Sequence, residues 1–81
     1  MREYAQKIRD LRIDHDKSQS QIANVLGTTK NQVGKYERGE QEMPIRHLIT
    51  LCDYYGVSAD YILGLPSDRP YGLSKTKKDR M

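Results

Sequence analysis

Residues 28–40 read TTKNQVGKYERGE, a stretch too polar for a buried helix and too regular for a loop. Thr29 is a good N-cap, and Gln32 stands at the third position after it, where its side chain can answer the backbone of the cap. The spacing predicts a helix running on to Arg38 and ended by Gly39. A helix advances ~100° per residue, so with Lys30 at zero, Gly34 falls at ~40°, Arg38 at ~80°, Asn31 at ~100° and Lys35 at ~140°. Val33, Tyr36 and Glu37 occupy the other side, between ~240° and ~340°. One face is therefore for packing, and the other carries Lys, Asn, Lys and Arg around a glycine. Such donors suit base edges and phosphates, since Asn bonds adenine bidentately and Lys reaches guanine acceptors. The glycine costs about 1 kcal/mol of helix propensity, which argues for something that must approach the helix closely, as the wall of a major groove would. The amides and the Thr29 hydroxyl at its N-terminus form a ready phosphate site. A merely solvated face has the same composition, so the flanking sequence has to decide.

Ahead of this stretch, SQSQ places Ser18 as an N-cap with Gln21 three residues on, the arrangement of a capping box. Ile22, Ala23 and Leu26 give this second helix its apolar face, and Gly27 stops it. Ala23 lets two helices cross closely, Gly27 takes the left-handed turn between them, and Val33 packs the second of the pair onto the first. That spacing resembles a helix-turn-helix signature, spanning Gln19 to Arg38. Upstream, Tyr4, Ile8, Leu11 and His15 form one stripe of a first helix over about residues 3–15. Downstream, Pro44 is placed as the first residue of a fourth helix with the stripe Ile45, Leu48, Leu51/Cys52 and Tyr55, closed by Gly56. Ser58 caps a short fifth helix, SADYILG, with Asp60 near its positive end, and Gly64 and Pro66 end the folded part. There is no strand-like alternation and no internal repeat. The expected architecture is all-α, a compact five-helix bundle over residues 1–66 followed by a flexible basic tail, 67–81.

At 81 residues the chain has room for one modest core. Apolar residues make up 36% and charged residues 31%, a soluble, globular balance. The net charge of +3 invites a nucleic-acid reading, but residues 1–66 carry nine Lys/Arg against nine Asp/Glu, so the excess belongs to SDRPYGLSKTKKDRM. Placement of the charges, more than their sum, carries the argument. No apolar run approaches the ~18 residues of a membrane span, the N-terminus lacks a secretory h-region, and the single cysteine suits a reducing compartment. A cytoplasmic protein without membrane contact is expected.

Taken with its surroundings, the chain resembles the Cro/C1-type (XRE-family) helix-turn-helix proteins, which include lambdoid phage repressors and many small bacterial regulators. The residues that carry the resemblance are KIRDLR (7–12), SQSQIANVLGTTKNQVGKYERGE (18–40) and MPIRHLITLCDYYGVSADYILG (43–64), about four-fifths of the chain. The resemblance implies a transcriptional regulator, a repressor, that binds double-stranded DNA as a two-fold dimer. It makes the third helix the recognition helix, with Lys30, Asn31 and Lys35 reading bases. Gln19 and Thr29 would hold phosphates, and Arg38 and Gln41 would lie along the backbone. Arg12 and Glu37 match positions where the family carries a partly buried pair joining the first helix to the third, a structural role. Three departures stand out. Lys17 replaces the apolar residue that staples the second helix, Gly34 stands where a small hydroxyl residue is common, and Glu40 and Glu42 bring negative charge into the loop expected near phosphates.

No other constellation points to chemistry. His15 and His47 have no third ligand or paired carboxylate, and His15 completes an apolar stripe. Cys52 lies on the apolar face of the fourth helix and reads as a small buried thiol. Tyr4, Tyr36, Tyr55 and Tyr61 fall at core-facing positions, leaving Tyr54 and Tyr71 outside. Neither an enzyme nor a cofactor is expected. Two rival readings keep the same fold: an interaction module such as an antitoxin whose tail clasps a protein partner, and the DNA-binding part of a larger regulator. Ile62, Leu65 and Ile13 are the candidate apolar positions for a dimer interface.

Overall fold

A computed structural model of the chain describes residues 3–66; the basic segment 67–81 lies outside the described residues. Five helices, and no strand, are present among them: α1 (Glu3–Asp14), α2 (Gln19–Leu26), α3 (Lys30–Glu37), α4 (Ile45–Tyr55) and α5 (Ala59–Leu63). The core is one cluster, Ile8, Leu11, Ile22, Ala23, Leu26, Val33, Tyr36, Leu51 and Ile62, to which every helix contributes. Fully burying a side chain such as Leu51 or Ile62 is worth about 1.5–3 kcal/mol, so these few residues carry most of the drive to fold.

The helix ends follow from local chemistry. At α2 the Ser18 hydroxyl accepts the Gln21 N–H (3.0 Å) and the Gln21 side-chain carbonyl accepts the Ser18 N–H (2.8 Å), a complete capping box. At α3 the device is one-sided: Thr29 Oγ1 accepts the Gln32 N–H at 3.1 Å, with no return bond from the Gln32 side chain to the Thr29 backbone. Gly27 ends α2 in the left-handed conformation at φ 70°, and a Cβ there would meet nothing within 4 Å. Its requirement is therefore conformational and not steric.

Four expectations are corrected by the structure. His15 is exposed and lies past the end of α1, because the chain turns left-handed at Asp16 (φ 56°). Its N–H and Nδ1 both reach the Leu11 carbonyl, and its ring packs on Tyr55 at 4.8 Å, so Ala5 takes its place in the α1 stripe. Pro44 precedes α4 as its N-cap, with extended ψ of 153°, and is not its first helical residue. The core face of α4 is rotated from the expected stripe: His47 and Leu51 are buried, whereas Ile45 is 73% exposed. In α5 the exposed and buried roles of Tyr61 and Ile62 are exchanged. Ile62 is fully buried against the core, which removes it from any dimer interface, and Tyr61 is exposed with the Lys7 ammonium 4.9 Å from its ring centre.

Candidate nucleic-acid interface

The α2–α3 pair presents one face of α3 outward. Val33, Tyr36 and Glu37 are buried, while Lys30, Asn31 and Lys35 are exposed. Lys30 and Asn31 make no side-chain hydrogen bond or ion pair to another described residue. Their donors thus stand open beside the start of the helix, where Thr29 caps the third amide and keeps its own hydroxyl proton for another acceptor. Ala23 and Val33 are both buried at the crossing of the two helices, on either side of Gly27.

Polar bonds fix this face to the rest of the molecule. The Glu37 carboxylate, 4% exposed, accepts Arg12 Nε–H at 2.7 Å and Arg12 Nη2–H at 3.1 Å. It also accepts an N–H of the Gln19 amide at 3.1 Å. Arg12 Nη1 donates to the Lys17 carbonyl at 3.0 Å, so one guanidinium ties α1 to the turn before α2 and to the last turn of α3. The bond to Lys17 holds the turn before α2 to the end of α1. The Glu37 carboxylate raises the Arg12 pKa above its ordinary value, chiefly by hydrogen bonding, and keeps it a cation.

On the opposite side of α3, the Tyr36 hydroxyl and His47 Nδ1 share a hydrogen bond of 3.2 Å, joining α3 to α4. Burial, with a smaller contribution from Arg46, lowers the His47 pKa and favours the neutral imidazole. The loop between the two helices is anchored from α1, where the Tyr4 hydroxyl accepts the Met43 N–H at 3.2 Å. Sequence reasoning placed Tyr4 and Tyr36 in the core but missed these hydroxyl bonds. No local spacing signals them, because each partner comes from another element.

Gly34 does not form an open notch. It is buried beneath its own helix neighbour: a Cβ at this position would lie 2.9 Å from Arg38 Nη1. The Arg38 guanidinium is held over it by Glu40, which accepts Nε–H at 2.8 Å and Nη2–H at 3.3 Å. The pairing lowers the Glu40 pKa and raises that of Arg38, with Lys35 adding a weaker attraction on Glu40. Arg38 thus offsets the negative charge that Glu40 brings to the loop. Gln41 is exposed two residues beyond Gly39.

Elsewhere the described residues offer little chemistry. They hold no group of three or more His, Cys, Asp or Glu placed to bind a metal. None of their helices is long and apolar enough to cross a membrane. Cys52 is half-buried, with its thiol pKa raised by burial.

A helix-turn-helix family model matches residues 8–62, the span from the α1 core stripe to α5. The chain belongs to the Cro/C1-type helix-turn-helix family. Among curated members, it is 40% identical over 65 residues to YobD of Bacillus subtilis, an uncharacterized HTH-type transcriptional regulator, covering 80% of this chain and 58% of YobD. It is 33% identical over 78 residues to the cryptic phage CTXphi transcriptional repressor RstR of Vibrio cholerae, covering 96% of this chain and 68% of RstR. The P22 c2 repressor, solved in complex with a synthetic operator, superposes with a TM-score of 0.71 at 24% identity, covering 78% of this chain and 96% of that one. This last likeness establishes the helix-turn-helix fold.

Proposed function

We propose that this family member is a sequence-specific binder of double-stranded DNA that acts as a transcriptional repressor, reading the major groove with α3. One observation carries the reading: Lys30, Asn31 and Lys35 are exposed on one face of a helix whose other face is locked through Glu37 to α1 and α2. A rigidly held helix with unpaired Lys and Asn donors is what direct readout of base edges needs.

In this reading Asn31 bonds adenine, and Lys30 and Lys35 reach guanine acceptors or the flanking phosphates. The Thr29 hydroxyl, the remaining amide N–H of Gln19, and the side chains of Arg38 and Gln41 hold the backbone and set the register. Arg38 exchanges its Glu40 partner for a phosphate as it does so. Occupying an operator in the major groove excludes polymerase. RstR, a repressor, and the P22 c2 repressor, bound to an operator, are relatives of the kind this mechanism requires. Two copies bind a palindrome with half-sites ~34 Å apart.

Selection of bound duplexes from a random DNA library tests the proposal. A purified chain that reads bases enriches a palindromic site. A folded chain at low salt that enriches nothing contradicts it.

A further inference from the structure

We infer that Arg38 reads a guanine from the middle of the α3 face, with Gly34 and Glu40 as the residues that position its guanidinium there. On the wheel of α3, Gly34 falls between Lys30 and Asn31, at the centre of the exposed face, yet it is buried. What covers it is Arg38, whose Cα lies one turn further along. The long side chain folds back toward the start of the helix. A Cβ at position 34 would meet Nη1 at 2.9 Å, Cζ at 3.7 Å and Nη2 at 3.8 Å. Any side chain at 34 therefore moves the guanidinium off this face. With glycine there, the guanidinium lies level with Gly34, one turn or roughly 6 Å along the axis from Lys30. That is among the residues proposed to meet base edges, and not at the rim.

Glu40 holds the guanidinium along one edge only. Its carboxylate accepts Nε–H at 2.8 Å and Nη2–H at 3.3 Å. Nη1 and the second N–H of Nη2 bond no other described residue. The free end of the fork thus keeps two donors, spaced to meet the O6 and N7 acceptors of guanine. Order that the clasp has already imposed on a long side chain is order that binding need not supply.

A phosphate and a guanine make different demands on this pair. A phosphate takes the Nε–Nη2 edge, and for it Arg38 leaves Glu40, in the exchange proposed above. Both side chains are more than half exposed, so the pair is weak and the exchange is open on any duplex. Guanine is met at the Nη1–Nη2 end while Glu40 stays, and only a duplex with guanine at this one position offers it. A carboxylate kept beside the phosphates disfavours duplexes that lack that guanine. The negative charge in this loop thereby serves discrimination. The inference rests on α3 as the recognition helix and adds one base to those met by Lys30, Asn31 and Lys35.

The test is duplex selection with the full chain, then affinities for the selected site, its single-base variants and random duplex. Arg38→Ala is expected to lose a preference for guanine of about 5- to 150-fold, at one G·C position only. Glu40→Gln and Gly34→Ala are expected to lose most of that preference at the same position. Glu40→Gln is also expected to bind random duplex more tightly, with a salt slope steeper by about one. Its melting temperature is expected to stay near wild type and that of Gly34→Ala not to fall, which separates these losses from loss of fold. Arg38→Ala weakening every duplex alike would leave Arg38 a phosphate contact and overturn the inference. A guanine preference that survives in both Glu40→Gln and Gly34→Ala overturns the positioning by the clasp. A wild type that enriches no site removes the reading of α3 itself, whereas an enriched site with no Arg38-dependent position overturns this inference alone.

Discussion

Glu37 holds Arg12 across 25 residues of sequence, accepting Nε–H and Nη2–H at 2.7 and 3.1 Å while almost fully withdrawn from water. Because Gln19 bonds the same carboxylate, one acidic side chain on α3 gathers α1 and α2 around it. Removing one partner of a buried pair leaves an uncompensated charge. Glu37→Ala is expected to destabilise the domain by about 3 kcal/mol, the low end for such pairs because Arg12 keeps some access to water. Replacing both partners by apolar residues of similar volume (Arg12→Met with Glu37→Leu) is expected to recover most of that loss. Urea unfolding of the three chains measures both, and a Glu37→Ala loss below about 1 kcal/mol would mean the pair is a surface contact.

Gly34 lies under the Arg38 guanidinium, and the atom a Cβ would crowd is the far end of a flexible side chain. Arg38 can swing aside at little cost, and helix propensity favours alanine by about 1 kcal/mol. Gly34→Ala is therefore expected to raise stability by several tenths to about 1 kcal/mol, seen as a higher melting temperature. A lower melting temperature would show that the Arg38–Glu40 clasp is rigid and structural.

His47 is buried with its imidazole pKa lowered below the ordinary 6.5. At pH values below about 6.5 the unfolded chain binds a proton that the folded chain resists, so stability rises with pH through that range and is lost on acidification. The contribution is complete above 6.5 and declines as pH falls toward the lower folded value. Denaturation midpoints from pH 7.5 to 5 are expected to fall more steeply in the wild type than in His47→Gln. Equal slopes would assign the acid sensitivity to other groups.

Tyr55 has a buried hydroxyl without a hydrogen-bond partner among the described residues, and burial pushes its pKa to about 12. An unsatisfied buried polar group costs about 1–3 kcal/mol. Tyr55→Phe keeps the ring on His15 and is expected to stabilise the fold by about 1 kcal/mol, measurable by denaturant midpoint. Destabilisation would reveal a hydrogen bond to that oxygen in solution.

Local chemistry made much of this fold legible in the sequence. Ser18 with Gln21, and Gly27 after an apolar run, fix helix ends through contacts within a few residues, and the structure has them there. The face of α4 was not legible, because Ile45 outranks His47 in hydrophobicity while the Tyr36 hydroxyl, eleven residues away, gives His47 a partner in the core. Ile62 and Tyr61 were misassigned for a related reason: in a five-residue helix, periodicity has too few turns to choose between adjacent positions. At the candidate interface, the exposure of Lys30 and Asn31 followed from the helical wheel. The clasp of Arg38 by Glu40 over Gly34 did not, since it depends on how the chain turns after α3.

The most direct test of the central claim is the affinity of Asn31→Ala, against wild type, for the selected site and for random duplex DNA at one salt concentration. Base reading by α3 is expected to cost the variant about 1–3 kcal/mol on the selected site while leaving random-DNA binding nearly unchanged. Equal weakening on both, or no change on the selected site, would contradict it.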